Sequence, residues 1–174
     1  MKIAFFHARG YERPSLEAEN TRHGHQISWF EATLAPETAA LAAGHDGVCI
    51  FVNDICNAEA IATLADCGVR LILCRSAGYN QVDLAAARAH GLTVMRVPGY
   101  SPESVAEHTV GLILSLVRQL HHQHNRVRDG NYALDGLVGF KLHQKTAGIF
   151  GTGRVGCAVA RILNGFGCRL LGYD

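Results

Sequence analysis

The run from Thr146 to Asp174 constrains this chain more than any other stretch. It reads strand, glycine turn, helix, strand, acid. The apolar residues Thr146–Phe150 lead into Gly151-Thr152-Gly153-Arg154-Val155-Gly156. Gly151 permits a tight turn after the strand. Gly153, lacking a Cβ, lets a pyrophosphate approach the backbone, and Gly156 lets the helix pack close to the strand. The N–H groups at the helix start, those of Arg154 and Val155 among them, would face the phosphates with the positive end of the helix dipole. Asp174 lies 18 residues past Gly156. An acid about 20 residues beyond the glycines is placed to bind the ribose hydroxyls of NAD and to repel the 2′-phosphate of NADP. Isolated glycine turns are common, and an ordinary structural βα turn is the alternative. Here strand, helix and acid all stand at the spacing a dinucleotide site needs.

The preceding residues alternate apolar strands with helices. Strands are predicted at Lys2–His7, His25–Phe30, Gly47–Val52, Arg70–Arg75 and Thr93–Val97, and helices at Pro36–Ala43, Ala58–Cys67 and Val82–His90. Three of the helices end at a glycine: Gly44, Gly68 and Gly91. Apolar strands alternating with helices predict an α/β fold with a parallel sheet covered on both faces. Residues 1–100 are therefore read as one flavodoxin-like domain. A single long helix should follow, capped by Ser101, with Pro102 in its first turn and Glu103 and Glu107 toward its positive end. Its apolar residues, Val105, Val110, Ile113, Leu114, Val117 and Leu120, cover a broad face and predict burial between domains or subunits. Residues 129–142 read as a glycine-bearing loop. Residues 101–174 thus comprise a linking helix and the first βαβ unit of a Rossmann-type dinucleotide domain. One such unit cannot bury both faces of its two strands, so this half is expected to be incomplete.

The chain carries 16 Lys and Arg against 15 Asp and Glu. So small a net charge gives no electrostatic reason to expect nucleic acid or an anionic membrane as partner. No apolar run reaches the roughly 18 residues of a membrane span. The start, Met1-Lys2-Ile3-Ala4-Phe5-Phe6-His7, reads as a strand rather than a signal peptide. None of the six cysteines pairs as CxxC, and several fall in apolar strand or helix patterns, which points to free thiols in a reducing cytoplasm.

Other candidate residues sit at predicted strand ends. Arg75-Ser76-Ala77-Gly78-Tyr79-Asn80 follows an apolar strand. Successive N–H groups in its small-residue turn could cradle a carboxylate; a plain strand-to-helix turn is the equal alternative. Tyr100, in Pro98-Gly99-Tyr100-Ser101-Pro102, either presents its hydroxyl to a cleft or packs as a hinge residue. Glu107 and His108 are adjacent on a helix, so they point apart and make a poor acid–base pair. His121, His122 and His124 read as a solvated helix end, and no metal is expected.

Together these segments resemble the D-isomer-specific 2-hydroxyacid dehydrogenases, and most closely their fermentative, NAD-dependent D-lactate dehydrogenase branch. The resemblance spans the whole chain. It is carried by Phe51-Val52-Asn53-Asp54, by Cys74-Arg75-Ser76-Ala77-Gly78-Tyr79-Asn80-Gln81-Val82-Asp83-Leu84, by the run from Val97 to His108, and by the dinucleotide segment. It implies a flavodoxin-like substrate domain and NAD as cofactor. The N–H groups of Ala77 and Gly78 would hold the substrate carboxylate, and Tyr100 would line the lactate site. Phosphoglycerate and formate relatives typically carry asparagine there, so Tyr100 favours a lactate-type substrate. Gly151, Gly153, Arg154, Val155, Gly156 and Asp174 would contact NAD, and the long helix would contribute to a homodimer. The family's catalytic arginine, glutamate and histidine lie beyond the glycine turn. They have no counterpart here, and Arg75, Glu107 and His108 are not replacements. The chain is thus expected to be the N-terminal part of a subunit that reduces pyruvate to D-lactate, and to be inactive by itself. The alternatives are a non-enzymatic interaction module, with exposed apolar faces that seed association, and a dehydrogenase for another D-2-hydroxy acid.

Overall fold

The computed structural model describes all 174 residues and divides into two compact units, Met1–Tyr100 and Ser101–Asp174. In the first unit five strands pair in parallel in the order β2-β1-β3-β4-β5. They are β1 (Lys2–Phe5), β2 (Gln26–Trp29), β3 (Gly47–Ile50), β4 (Leu71–Cys74) and β5 (Thr93–Arg96). This is the flavodoxin-type order, with a topological switch point between β1 and β3. The three central strands β1, β3 and β4 are short and apolar because they are covered, whereas the edge strands β2 and β5 stay partly or largely exposed.

Alternate side chains build the core. Ala4, Val48, Ile50, Ile72 and Cys74 point to one face, where they bury against Ala60, Ile61 and Leu64 of α2 (Ala58–Asp66) and Ala87 of α3 (Leu84–Ala89). Asn57 and Asp83 cap these helices, accepting from the N–H groups of Ala60 and Ala86. The segment expected as a helix at Pro36–Ala43 is only a short 3₁₀ turn, Ala39–Ala42, which adds Ala39 and Ala42 to the same core.

The other face differs from expectation. A helix the sequence did not announce, α1 (Arg13–Asn20), stands between β1 and β2. It buries no residue and has no apolar stripe; Arg13–Glu17 and Arg22–Glu19 ion pairs and a proline in its first turn mark it instead. Coverage here is thin: Leu16 of α1 and Ile3, Phe5, Ile27, Cys49 and Leu73 of the sheet line a cavity of about 220 Å³.

In the second unit the single long helix is two helices, α4 (Pro102–Val117) and α5 (Leu120–Arg128). Neither glycine nor proline marks the break, and Gln119 takes the left-handed conformation at φ 54°. The later loop accounts for it. The Phe140 N–H bonds the Val117 carbonyl at 3.2 Å, and Gly139 sits so close that a Cβ there would collide with the same oxygen. The Gln123 side chain donates to the Arg118 carbonyl and so satisfies the end of α4, while no side chain caps the start of α5.

Two parallel strands, β6 (Thr146–Phe150) and β7 (Arg169–Tyr173), flank α6 (Arg154–Gly165). Val110 of α4, Leu163 of α6 and Cys168 form a small core, with Leu114, Ala147, Val159 and Leu170 packed on it. The broad apolar face of α4 is only partly used within the unit: Ala106 and Val110 are buried, while Leu116 is 68% exposed. As expected of two strands, the sheet leaves apolar surface open, with Phe150 85% exposed.

Ile72, fully buried on β4, should lose about 2–5 kcal/mol of stability as Ile72→Ala in urea unfolding, whereas Leu116→Ala should change it by less than about 0.5 kcal/mol.

Candidate functional site

The glycine turn forms at the carboxyl end of β6. Gly151 adopts φ +92°, a conformation that favours glycine, and its N–H donates to the Tyr173 carbonyl at 2.8 Å. That bond extends the β6–β7 ladder by one step and fixes the turn against the end of β7. Gly153 is the extended residue that opens α6, and no side chain caps the helix there. The first α6 N–H that the chain itself uses is that of Cys157, bonded to the Gly153 carbonyl at 2.9 Å. The N–H groups of Arg154, Val155 and Gly156 find no acceptor in the chain.

Space around the turn is distributed unevenly. A Cβ on Gly156 would run into the Gly151 carbonyl oxygen, so only glycine lets α6 approach this closely. A Cβ on Gly153 would meet nothing within 4 Å. Open space over one glycine, free N–H donors and a helix N-terminus together fit a pyrophosphate. At the end of β7, Asp174 is exposed and accepts a hydrogen bond from the Thr152 hydroxyl at 2.7 Å. Arg154 is exposed and enters no ion pair.

In the first unit, Ala77 and Gly78 form the turn after β4. The backbone N–H groups of both lack a partner in the chain. Their carbonyls are engaged instead: Arg96 donates to Ala77 O and the buried Ser76 hydroxyl to Gly78 O, each at 2.8 Å. With carbonyls held inward and N–H groups free, the turn can receive an anion. Tyr100 is 59% exposed and makes no side-chain hydrogen bond. The Val97 N–H bonds Ser76 O at 3.2 Å, which ties the segment leading to Tyr100 to this turn.

A polar cluster that the sequence did not single out lies at the carboxyl ends of β1, β3 and β4. The Arg75 guanidinium donates to Phe6 O, His7 O and Glu12 Oε1 at 2.8–3.1 Å and lies over the Phe5 and Phe51 rings. Each of its three nitrogens donates to the fold, which accounts for Arg75 without catalysis. Buried Asp54 accepts from the N–H groups of Leu34 and Phe51, and His7 Nδ1 stands 3.6 Å from Asp54 Oδ1. The Arg75 bonds and the Leu34–Asp54 bond cross distant segments and leave no local spacing signal; only the Phe51–Asp54 bond is local.

The remaining candidates stay apart. Glu107 and His108 are both exposed on α4. The His121 and His122 rings lie 4.0 Å apart on α5, and no group of three or more potential ligands is placed to hold a metal. All six cysteines are free. Burial pushes the Cys49 thiol up to about 11, with Arg75 pulling the other way, and burial pushes Cys56 to about 12. Neither is a thiolate nucleophile near neutrality.

A family model described as "D-isomer specific 2-hydroxyacid dehydrogenase, catalytic domain" matches residues 3–166. The chain belongs to this family. All of it aligns at 45% identity with 53% of the D-lactate dehydrogenase of Escherichia coli, and it superposes on 55% of an apo structure of that enzyme with a TM-score of 0.91. It is 29% identical to an Aquifex aeolicus D-lactate dehydrogenase solved with NAD and lactic acid, covering 51% of that chain with a TM-score of 0.84. An aromatic 2-oxoacid reductase of Clostridium sporogenes is 42% identical, over 53% of its length. The chain therefore spans about half the length of these relatives. No helix is long and apolar enough to cross a membrane.

Gly156→Ala should lower the melting temperature of the second unit by several degrees, because its Cβ meets backbone rather than a flexible side chain. Gly153→Ala should leave the melt unchanged while weakening NADH binding.

Proposed function

We propose that this chain forms the substrate domain and the start of the NAD domain of a D-2-hydroxyacid dehydrogenase subunit that reduces pyruvate to D-lactate. The observation that carries this reading is the set of unengaged N–H groups at Arg154, Val155 and Gly156 beside an open Gly153, with Asp174 at the next strand end. NAD, when bound, supplies the hydride chemistry.

The chain's own residues bind and orient. The helix-start N–H groups receive the pyrophosphate, Gly156 keeps α6 against the turn, and Asp174 accepts from the ribose hydroxyls and disfavours a 2′-phosphate. The N–H groups of Ala77 and Gly78 hold the substrate carboxylate, and Tyr100 offers a hydroxyl to a lactate-sized substrate. No residue of this chain is assigned the acid–base step. That role, and the arginine that polarises the 2-oxo group, belong to the half of the relatives that this chain does not match. The working protein is a cytoplasmic homo-oligomer, a setting consistent with six free cysteines.

A second reading, another 2-oxo acid on the same scaffold, draws on the relative named as an aromatic 2-oxoacid reductase. Under that reading bulkier 2-oxo acids outcompete pyruvate.

The polypeptide ending at Asp174 should show no pyruvate-dependent NADH oxidation. A chimera that replaces the matching half of the Escherichia coli enzyme with this chain should reduce pyruvate with NADH, and Tyr100→Asn in it should raise KM for pyruvate about tenfold or more, the loss of one substrate contact. A chimera that folds and binds NADH yet reduces no 2-oxo acid contradicts the proposal. A preference for phenylpyruvate over pyruvate selects the second reading.

A further inference from the structure

Of the side-chain hydrogen bonds in the second unit, only one joins two side chains: the Thr152 hydroxyl to Asp174 Oδ2. The glycine-turn motif leaves the residue between its first two glycines unspecified, so nothing in the pattern calls for a threonine at 152. We propose that Thr152 is a positioning residue for nucleotide choice. By holding the Asp174 carboxylate in place, it sets the preference for a free 2′-hydroxyl over a 2′-phosphate. This rests on the reading of the unit as a dinucleotide site.

Both branches of Thr152 are used. Its γ-methyl lies over Gly172 of β7, where a Cβ would come within 3.2 Å of it. Its hydroxyl reaches Asp174 two residues further along the same strand. The meeting is set by backbone: Phe150 pairs with Tyr173, and the Gly151 N–H bonds Tyr173 O, so turn and strand end cannot drift apart. Oδ2 thereby takes one hydrogen bond from the chain, and Oδ1 has no partner in the chain and is free to accept from a ribose hydroxyl.

The surrounding charge gives this hold its importance. Arg154 and Arg161 line an open cleft of about 510 Å³ with Thr152, Gly153 and one carboxylate, Glu103; neither arginine is ion-paired, and Arg161 donates only its Nε–H, to the Cys157 carbonyl at 3.3 Å. Two guanidinium groups without a carboxylate partner, set against the single carboxylate of Glu103, leave the cleft net positive and attractive to a phosphate of any kind. A carboxylate free to swing into solvent would be screened and would oppose a 2′-phosphate weakly. A carboxylate fixed beside the turn opposes it at short range and accepts from the 2′-hydroxyl without first being ordered.

The test is a fluorescence titration of the full 174-residue chain with NADH and with NADPH, with each variant's fold checked by thermal melt. Thr152→Val keeps the shape and the methyl contact and removes the donor. It should lower the NADH-over-NADPH preference about 5-fold, the size of one net hydrogen bond, with the loss falling on NADH. Thr152→Ser keeps the donor and should retain the wild-type preference; Thr152→Ala should match valine and serves if valine is not accommodated. Asp174→Asn should reduce the preference at least as far as valine does. An unchanged ratio in Thr152→Val and Thr152→Ala, with wild type still preferring NADH, overturns this inference alone. A wild-type chain that binds neither nucleotide overturns it together with the reading beneath it.

Discussion

Parallel pairing is the constraint on which the rest depends. Every pairing in both sheets is parallel, so each strand must return through a crossover, and all strand-to-helix turns of a sheet leave from one edge. Ala77 and Gly78 follow β4, Tyr100 follows β5, the glycine turn follows β6 and Asp174 follows β7. The cluster of His7, Asp54 and Arg75 occupies the carboxyl edge of the first sheet, after β1, β3 and β4. A sheet built this way gathers backbone N–H groups and polar side chains along one rim from segments far apart in sequence.

Each at the carboxyl ends of its own sheet, the two candidate turns reach one electrostatic result by different routes. After β4, side chains satisfy the carbonyls: Ser76 and Arg96 hold Gly78 O and Ala77 O, which leaves the N–H groups free. After β6, geometry alone does it, because a helix always starts with unpaired N–H groups and Gly153 provides no cap. Unpaired N–H groups at an open surface are a standing preference for anions, here a carboxylate in one unit and a pyrophosphate in the other. Burial then sets what is unavailable: Arg75 is spent on carbonyls, and the Cys49 and Cys56 thiols stay protonated.

Elements with strong apolar periodicity were legible in the sequence. The five strands of the first unit, β6, α2 and α3 fall where the pattern places them, to within two residues at their ends, and α6 and β7 follow the glycine turn in the order read. Helix α1 was not, because it buries nothing and so carries no stripe. The break at Gln119 was invisible for the opposite reason: the apolar pattern runs through it, and its cause lies about twenty residues later, where Gly139 and Phe140 claim the Val117 carbonyl. The glycine turn was legible because each glycine has a local steric reason. Thr152 and the Arg75 network were not, since their partners are set by register and by the crossovers.

The most direct measurement of the central claim is the ¹⁵N–¹H spectrum of the chain titrated with NADH. The account predicts saturable shifts concentrated at the backbone N–H groups of Gly153, Arg154, Val155 and Gly156 and at Asp174. Binding that leaves those five signals in place while shifting others, or an absence of binding at millimolar NADH, would contradict it.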